Sequence, residues 1–175
     1  MTYYDGKDLA RSFRVVRRNT LIAAEEIPED QYGFKPAATV RSVAELLAHI
    51  AVSGRAMYDT HAVEHLQTFV GIDFPARLRL RAEQERQLTT KPVLLAALRE
   101  DGERWARFLE GVSEAVLSEI VTYPPTMDPP SKCRFELLLA AKEHEMHHRA
   151  QLMVYQRLLG LVPHLTRERE ARMGR

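Results

Sequence analysis

Apolar residues recur at the spacing of an α-helix in four separate stretches of this 175-residue chain. A period of about 3.6 residues indicates helices that each bury one face. The stretches cover residues 8–26, a segment that begins near Arg41, residues 89–111 and residues 131–160. Four long helices predict an all-α fold, a four-helix bundle that forms one domain over residues 1–175.

The connections between these stretches are long, which bears on how the helices are ordered. They cover residues 28–40, 66–88 and 112–130. Long connecting loops permit crossovers, so a simple up-down-up-down order does not follow. Within the last loop, residues 119–124 are strand-like, and we expect this run to be isolated. We expect Ser131 to cap the fourth helix.

The charge balance is nearly even, since charged residues make up 28% of the chain and the formal net charge is +1. This balance argues against a nucleic-acid partner held by bulk charge. Arg14, Arg17 and Arg18 form the densest basic cluster, which we interpret as a solvated helix face. No apolar run approaches the ~20 residues of a membrane span, so we expect no membrane partner.

Cysteine usage and the amino-terminal residues indicate the compartment. Cys133 is the only cysteine, which excludes an internal disulfide, and we interpret it as a small packing residue. Residues 1–13 lack the continuous apolar region of a signal peptide. We therefore expect a cytoplasmic protein.

The fourth helical stretch places histidines where a buried stripe is expected. It contains "AKEHEMHHRAQLMVYQRLLG", residues 141–160, with three of the seven histidines of the chain. On a helical wheel, His148 lies about 40° from His144, and both fall at the centre of the apolar stripe. His147 falls on the flank, while Lys142, Glu145, Arg149 and Gln156 lie toward the other side. The predicted inward residues are Leu137, Ala140, Ala141, Gln151, Tyr155, Leu158 and Leu159.

Two imidazoles four residues apart on one helix can chelate a metal ion. Their Cβ atoms lie about 5–6 Å apart, which suits metal–nitrogen distances of ~2.0–2.1 Å. A metal ion also supplies partners for imidazole nitrogens that are otherwise costly to bury. We therefore favour a metal site at His144 and His148 over hydrogen-bonded core histidines.

Residues 144–148 also read His-Glu-x-x-His, the pattern of a zinc-protease helix. Glu145 is thus a weak candidate for a general base. No further downstream ligand is evident, and no substrate-binding sheet is predicted. We keep a metalloprotease as a minor alternative.

A tight site needs a third ligand, and four other histidines are available. They are His49, His61, His65 and His164. On an unbroken second helix, His61 and His65 lie nearer the apolar stripe than His49 does. That helix would be unusually long, however, and its end is polar. The spacing alone leaves the third ligand open.

Two blocks of the chain resemble the DinB/YfiT-like superfamily. "GFKPAATVRSVAELLAHIA", residues 33–51, is similar to the start of the second helix of that family. "EHEMHHRAQLMVYQRLLG", residues 143–160, is similar to its fourth helix, with Ala150 where glycine is common. The resemblance implies a four-helix bundle with an open site for a divalent metal, held by His49, His144 and His148. His147, Arg149 and Tyr155 are weaker candidates for its surroundings.

The resemblance also implies an activity. Characterised members resemble metal-dependent thiol S-transferases that use low-molecular-weight thiols such as bacillithiol, mycothiol or glutathione. Some relatives are isomerases that use a thiol cofactor, and many members have no assigned activity. We therefore expect an enzyme acting on a small-molecule substrate, a thiol S-transferase or a hydrolase. We expect Zn²⁺ or Ni²⁺, with Fe²⁺ or Mn²⁺ as alternatives, and a thiol as a possible cosubstrate.

Two other classes of function remain open from the sequence. One is a non-catalytic metal-binding bundle that serves as a sensor or stress protein. The other is a dimeric interaction module whose histidines are simply buried polar groups. Met146, Met153 and Val154 lie on or beside the face away from the ligands, and we expect a homodimer through them.

Overall fold

Seven α-helices and two short strands make up the computed structural model, which describes residues 4–174. The helices are α1 (Gly6–Glu26), α2 (Val43–Tyr58), α3 (Phe74–Arg86), α4 (Lys91–Glu110), α5 (Glu114–Leu117), α6 (Arg134–Leu158) and α7 (His164–Arg172). A 3₁₀ turn covers Glu29–Gln31, and a π-helical turn, Asp59–Val63, follows α2. Residues 1–3, which belong to the stretch inspected for a signal peptide, lie outside the described residues. The ends of the expected domain, residues 1 and 175, lie outside them too.

The predicted all-α four-helix bundle is confirmed, and its long helices are α1, α2, α4 and α6. Helix α1 packs against α4 and α6, and α2 packs against the same two helices. The two helices that are consecutive in sequence, α1 and α2, therefore lie diagonally across the bundle. The long connection between them makes this order possible.

The connections contain more structure than the sequence indicated. Strand β1 (Ile120–Thr122) pairs in antiparallel register with β2 (Ser131–Cys133), so the strand-like run is not isolated. This pairing also corrects the start of the fourth helix. Ser131 lies in β2, and Cys133 occupies the N-cap position of α6 without a side-chain hydrogen bond. Helix α3, in the predicted loop 66–88, has no buried residue and packs on α2.

A capping box fixes the start of α2. The Ser42 hydroxyl accepts a hydrogen bond from the Glu45 amide at 3.2 Å, and the Glu45 carboxylate accepts one from the Ser42 amide at 2.7 Å. Such a box satisfies amide groups that the first turn leaves without helical partners. It sets the rotation of α2, which buries Leu46, Leu47 and Ile50 and leaves His49 beside them half-buried.

The core of the bundle consists of two apolar clusters. One cluster joins Leu47, Leu94, Leu98, Leu152 and Tyr155, and the other joins Leu9, Phe13, Trp105, Leu109 and Leu138. Along α1, α4 and α6, buried polar residues fall between the two sets. These are Arg17, Thr20, Asp101, Glu145 and His148. The four long helices thus enclose a polar layer, and two of the three histidines of the predicted site lie on α6 at this level.

Helix α6 buries a wider surface than a single stripe. Glu145 and Gln156, expected to face away from the core, are 2% and 0% exposed. Leu158, expected to face inward, is 60% exposed. The helical wheel predicted one buried stripe, and this prediction was wrong for these residues. Because α6 packs against α1 as well as α2, two adjoining faces of the helix are covered.

Within residues 4–174, no helix combines the length and the apolar composition that crossing a lipid bilayer requires.

Candidate metal centre

Three imidazoles from two helices converge at one point of the bundle. His49 comes from α2, and His144 and His148 come from α6. The Nε2 atom of His144 lies 3.2 Å from Nε2 of His49 and 3.1 Å from Nε2 of His148. In the described part of the chain, these three residues form the one group of three or more metal-ligating side chains close enough to share an ion.

Hydrogen bonds on the far side of two rings define which nitrogen carries the proton. Nδ1 of His49 lies 2.8 Å from a carboxylate oxygen of Glu85, which can only accept when ionised. Nδ1 of His148 lies 2.9 Å from the amide oxygen of Gln151. Both Nδ1 atoms are therefore donors, and both Nε2 atoms keep a free lone pair.

These tautomers make the cluster a poor hydrogen-bond network. The lone pairs of His49 and His148 both point at Nε2 of His144, which carries at most one proton. Two good hydrogen bonds cannot form there. A cation between the rings would satisfy all three nitrogens, and this is the arrangement that metal-binding histidines adopt.

Two of the three separations between the ligand nitrogens also suit a shared ion, and all three nitrogens lie within 4.8 Å of one another. Nitrogens bound at ~2.0–2.1 Å with angles near those of a tetrahedron or an octahedron lie about 2.9–3.4 Å apart. The two Nε2 separations of 3.1 and 3.2 Å fall in that range. The donor set fits a first-row divalent ion, and the prediction that it binds one stays a prediction.

The surroundings keep the imidazoles of His144 and His148 neutral. Burial, followed by the neighbouring imidazoles of His148 and His49, lowers the pKa of His144 to about 4. Burial lowers the pKa of His148 too, although the hydrogen bond with Gln151 opposes this effect. A neutral imidazole is the form that ligates a metal.

The other candidates for the third ligand lie elsewhere. His61 sits in the π-helical turn, where its Nδ1 accepts a hydrogen bond from Arg134 at 3.1 Å. His65 pairs with Glu119 at 3.0 Å. His164 begins α7, where its Nε2 lies 3.5 Å from the side-chain oxygen of Asn19. The structure thus brings only His49 to the pair on α6.

Glu145 is held in a buried ion pair rather than turned toward water. The Nε atom of Arg17 donates to its two oxygens at 2.8 and 3.0 Å, and Nη2 donates to one of them at 2.8 Å. The side chains are 6% and 2% exposed. The sequence cluster had led us to expect Arg17 on a solvated helix face. This expectation was wrong, because the side chain is buried.

Glycine makes room for this ion pair. A Cβ atom at Gly102 would lie 2.8 Å from Nη1 of Arg17 and 3.0 Å from its Cγ. Nη1 also donates to the carbonyl oxygen of Leu98. Because the pair joins α1 to α6 directly beside His144, it fixes the rotation of α6 that points His144 toward α2.

The weaker candidates have separate positions around the centre. His147 is exposed and accepts a hydrogen bond from Gln151 at 3.1 Å, so it is linked to His148 through that amide. Arg149 is half-buried, and its Nε has no hydrogen-bond partner among residues 4–174. The Tyr155 hydroxyl donates to the carbonyl oxygen of Arg41 at 3.1 Å, which ties α6 to the loop before α2.

Two hollows border the centre. His144 lines a cavity of about 240 Å³, together with Arg17, Arg81, Glu145 and an apolar wall. His148 lines a wider groove of about 840 Å³ on another side. Other residues of the groove include Lys35, Arg41, His147, Gln151 and Tyr155. The centre is therefore within reach of small molecules.

Sequence reasoning missed the residues that orient the imidazoles. Glu85 lies on α3, in a segment without apolar periodicity that we had taken for a loop. Gln151 was placed on the inward stripe, but no partner for it was foreseen. Its position three residues after His148 was the available signal, because such residues are neighbours on a helix.

Comparison with known proteins agrees with this architecture. A model of the DinB superfamily matches residues 12–152. The chain belongs to the DinB superfamily. The resemblance that the histidine blocks suggested is thereby confirmed.

Several members of the DinB superfamily are similar to the chain. Uncharacterized protein YjoA from Bacillus subtilis strain 168 is 28% identical over 137 residues, which cover 78% of this chain and 79% of YjoA. The crystal structure of YjoA, a DinB-like protein, superposes with a TM-score of 0.63 at 26% identity and covers 87% of this chain and 91% of YjoA.

Two further solved structures share the fold at lower identity. YfiT from Bacillus subtilis, described as a probable metal-dependent hydrolase with an unusual four-helix bundle topology, has a TM-score of 0.71 at 15% identity. The match covers 92% of this chain and 91% of YfiT. The colibactin self-resistance protein ClbS, solved in complex with double-stranded DNA, has a TM-score of 0.64 at 18% identity, over 90% of this chain and 98% of ClbS.

Proposed function

We propose that this DinB-superfamily protein is a metal-dependent enzyme for a small molecule, in which His49, His144 and His148 hold one divalent ion. The observation that carries the proposal is the convergence of three Nε2 atoms, two of which have lone pairs fixed by Glu85 and Gln151. The likeness of the fold to YfiT is in keeping with this proposal.

The donor set favours a catalytic site over a structural one. Three imidazoles leave at least one coordination position for water or substrate, whereas structural zinc sites use four protein ligands. A bound ion would supply Lewis acidity and lower the pKa of a bound water or thiol. Imidazole suits Zn²⁺ and Ni²⁺, as well as Fe²⁺ and, less well, Mn²⁺.

The chain itself would contribute orientation. Glu85 and Gln151 hold His49 and His148 in the tautomer that presents Nε2, and such partners raise the basicity of the ligand. We assign Glu145 a positioning role, because both of its oxygens accept hydrogen bonds from Arg17. A general base taken from Glu145 would require that ion pair to open.

Two reaction classes fit this site, and both use a nucleophile with a lowered pKa. In hydrolysis, the nucleophile is water. In thiol S-transfer, a low-molecular-weight thiol loses its proton, its sulfur forms a bond to an electrophilic carbon of the substrate, and the leaving group departs with the electron pair. The cavity of about 240 Å³ beside His144 has room for a small substrate.

The DNA complex of ClbS raises nucleic acid as a second type of partner. The basic cluster on α1 is the part of this chain to compare with such a role. There, however, Arg11 pairs with Asp8, and Arg14 pairs with Glu103 and Glu110. Arg17 is bound to Glu145, which leaves Arg18 as the exposed member of the cluster without an ion pair within residues 4–174. Because most of the cluster is neutralised within the protein, we favour the small-molecule substrate.

The experiment is a comparison of three samples in the same assays. They are zinc- or nickel-loaded protein, chelated protein and loaded His144→Ala protein. Each is tested for hydrolysis of an ester panel and for conjugation of glutathione, bacillithiol or mycothiol to electrophiles. Turnover in the loaded wild type alone supports the proposal. A loaded protein that binds the ion but turns over no substrate would favour a non-catalytic sensor or stress bundle.

A further inference from the structure

Arg81 lines a cavity that it shares with His144, and no described residue forms an ion pair with it. The side chain extends from α3 and is half-buried. Within residues 4–174, its guanidinium forms neither a hydrogen bond nor an ion pair. Burial lowers the pKa of Arg81, although a guanidinium stays protonated at neutral pH. Its five N–H donors are thus partly removed from water without protein acceptors in exchange.

The charged groups that share this cavity with Arg81, and its charged neighbours on α3, are already committed. Arg81 also borders a second hollow, which Asp59 and Glu64 line. Arg17, in the cavity shared with His144, is bound to Glu145. Arg77, one turn earlier on α3, pairs with Glu64. Glu85, one turn later, accepts the hydrogen bond from His49, and it acts on Arg81 only through its charge at a distance. Arg81 is therefore the charged group of this cavity that is available to a ligand.

Apart from Ser53, Gly54 and the ion pair of Arg17 and Glu145, the rest of the cavity is apolar. Its wall is formed by Phe13, Ile50, Met57, Ala140 and Ala141. The volume of about 240 Å³ lies below the ~300–1,000 Å³ that is typical of sites for drug-sized molecules. The cavity thus combines an apolar wall with two polar groups, the unpaired guanidinium of Arg81 and the imidazole of His144.

We propose that Arg81 binds an anionic group, a carboxylate, of a small substrate with an apolar body whose reacting end reaches the metal centre. A guanidinium matches a carboxylate through two parallel N–H···O bonds, which fix the orientation of the bound molecule. This inference rests on the proposed function, since it assigns the other half of the same substrate site.

The test compares hexanoate with hexanamide, which have nearly the same shape but differ in charge. Dissociation constants are measured by calorimetry or NMR for wild type, Arg81→Met and Arg79→Met, each in zinc-loaded and in chelated form. Arg79 is the matched control, because it lies on the same helix, is exposed and lines neither hollow. We expect the wild type to prefer hexanoate by about tenfold or more, a preference that Arg81→Met abolishes and Arg79→Met keeps.

The two metal states separate this inference from the proposed function. A preference that depends on Arg81 in chelated protein supports the anion site, even if no ion binds to the histidines. A preference that appears only in loaded protein and survives Arg81→Met means that the carboxylate binds the ion, and it overturns the role of Arg81. Equal binding of hexanoate and hexanamide by the wild type overturns it as well.

Discussion

The Nδ1 atom of His49 lies 2.8 Å from a carboxylate oxygen of Glu85, so a residue of α3 orients a ligand carried by α2. We predict that Glu85→Ala weakens zinc binding by about 10–100-fold, because the partner that fixes the tautomer is lost. Competition with a chromophoric chelator measures this change. Glu83→Ala, on the exposed side of the same helix, is the control and should leave the affinity unchanged. Equal affinity of Glu85→Ala and wild type would refute the role of Glu85.

The buried pair of Arg17 and Glu145 should matter for stability. Glu145→Ala leaves the Arg17 guanidinium buried without a counter-ion, which is expected to lower the free energy of unfolding by about 3–5 kcal/mol. Glu103→Ala removes an exposed partner of Arg14 and should change it by about 1 kcal/mol or less. Urea denaturation of both variants gives the comparison. Similar losses in the two would show that the buried pair is not a structural link.

Acid should destabilise the protein through His61 as well as through the metal centre. Burial, followed by the charge of Arg134, lowers the pKa of His61 from 6.5 to about 4. The unfolded chain therefore takes up a proton as the pH falls through 6.5, while the folded protein does not until about 4. The free energy of unfolding should fall over this window by on the order of 2–3 kcal/mol from this residue.

His61→Gln isolates that contribution, since its amide oxygen can still accept a hydrogen bond from Arg134. Denaturation curves between pH 7 and pH 4, with chelator present in all samples, should show a shallower loss of stability in the variant. The same steepness in both proteins would show that His61 does not stay neutral in the fold.

The outer face of α6 bears on oligomeric state. Met146 is 42% exposed, Val154 is 52% exposed, and Leu158 adds a further exposed apolar side chain. We predict a homodimer through this face, which Val154→Glu should weaken. Light scattering at micromolar concentration should give twice the 20.1 kDa mass of the chain for wild type. A mass of one chain for wild type would contradict the dimer.

The sequence foretold the parts of this protein that depend on local spacing. Two histidines four residues apart indicated a chelating pair, and the apolar periods located the long helices. His49 was identified through family resemblance, because spacing cannot show which residue of a distant helix faces the pair. A π-helical turn follows Tyr58 and takes His61 and His65 off the apolar stripe that an unbroken second helix would have. We recognise no signal for this turn in the sequence.

Residues whose role depends on tertiary packing were harder to predict. Arg17 lies between Arg14 and Arg18 on one helix, and such a cluster resembles a solvated surface. Its burial becomes evident only when Glu145 and Gly102 are brought opposite it. Helix α3 has no apolar face, so Glu85 and Arg81 could not be assigned to a helix that covers the centre.

We expect one divalent ion to bind between His49, His144 and His148. Elemental analysis of untagged protein, loaded with zinc and then dialysed, tests it most directly in wild type, His49→Ala and the double variant His61→Ala/His65→Ala. We predict one ion per chain in wild type and in the double variant, and almost none in His49→Ala. Full metal content in His49→Ala, with loss of metal in the double variant, would contradict the account.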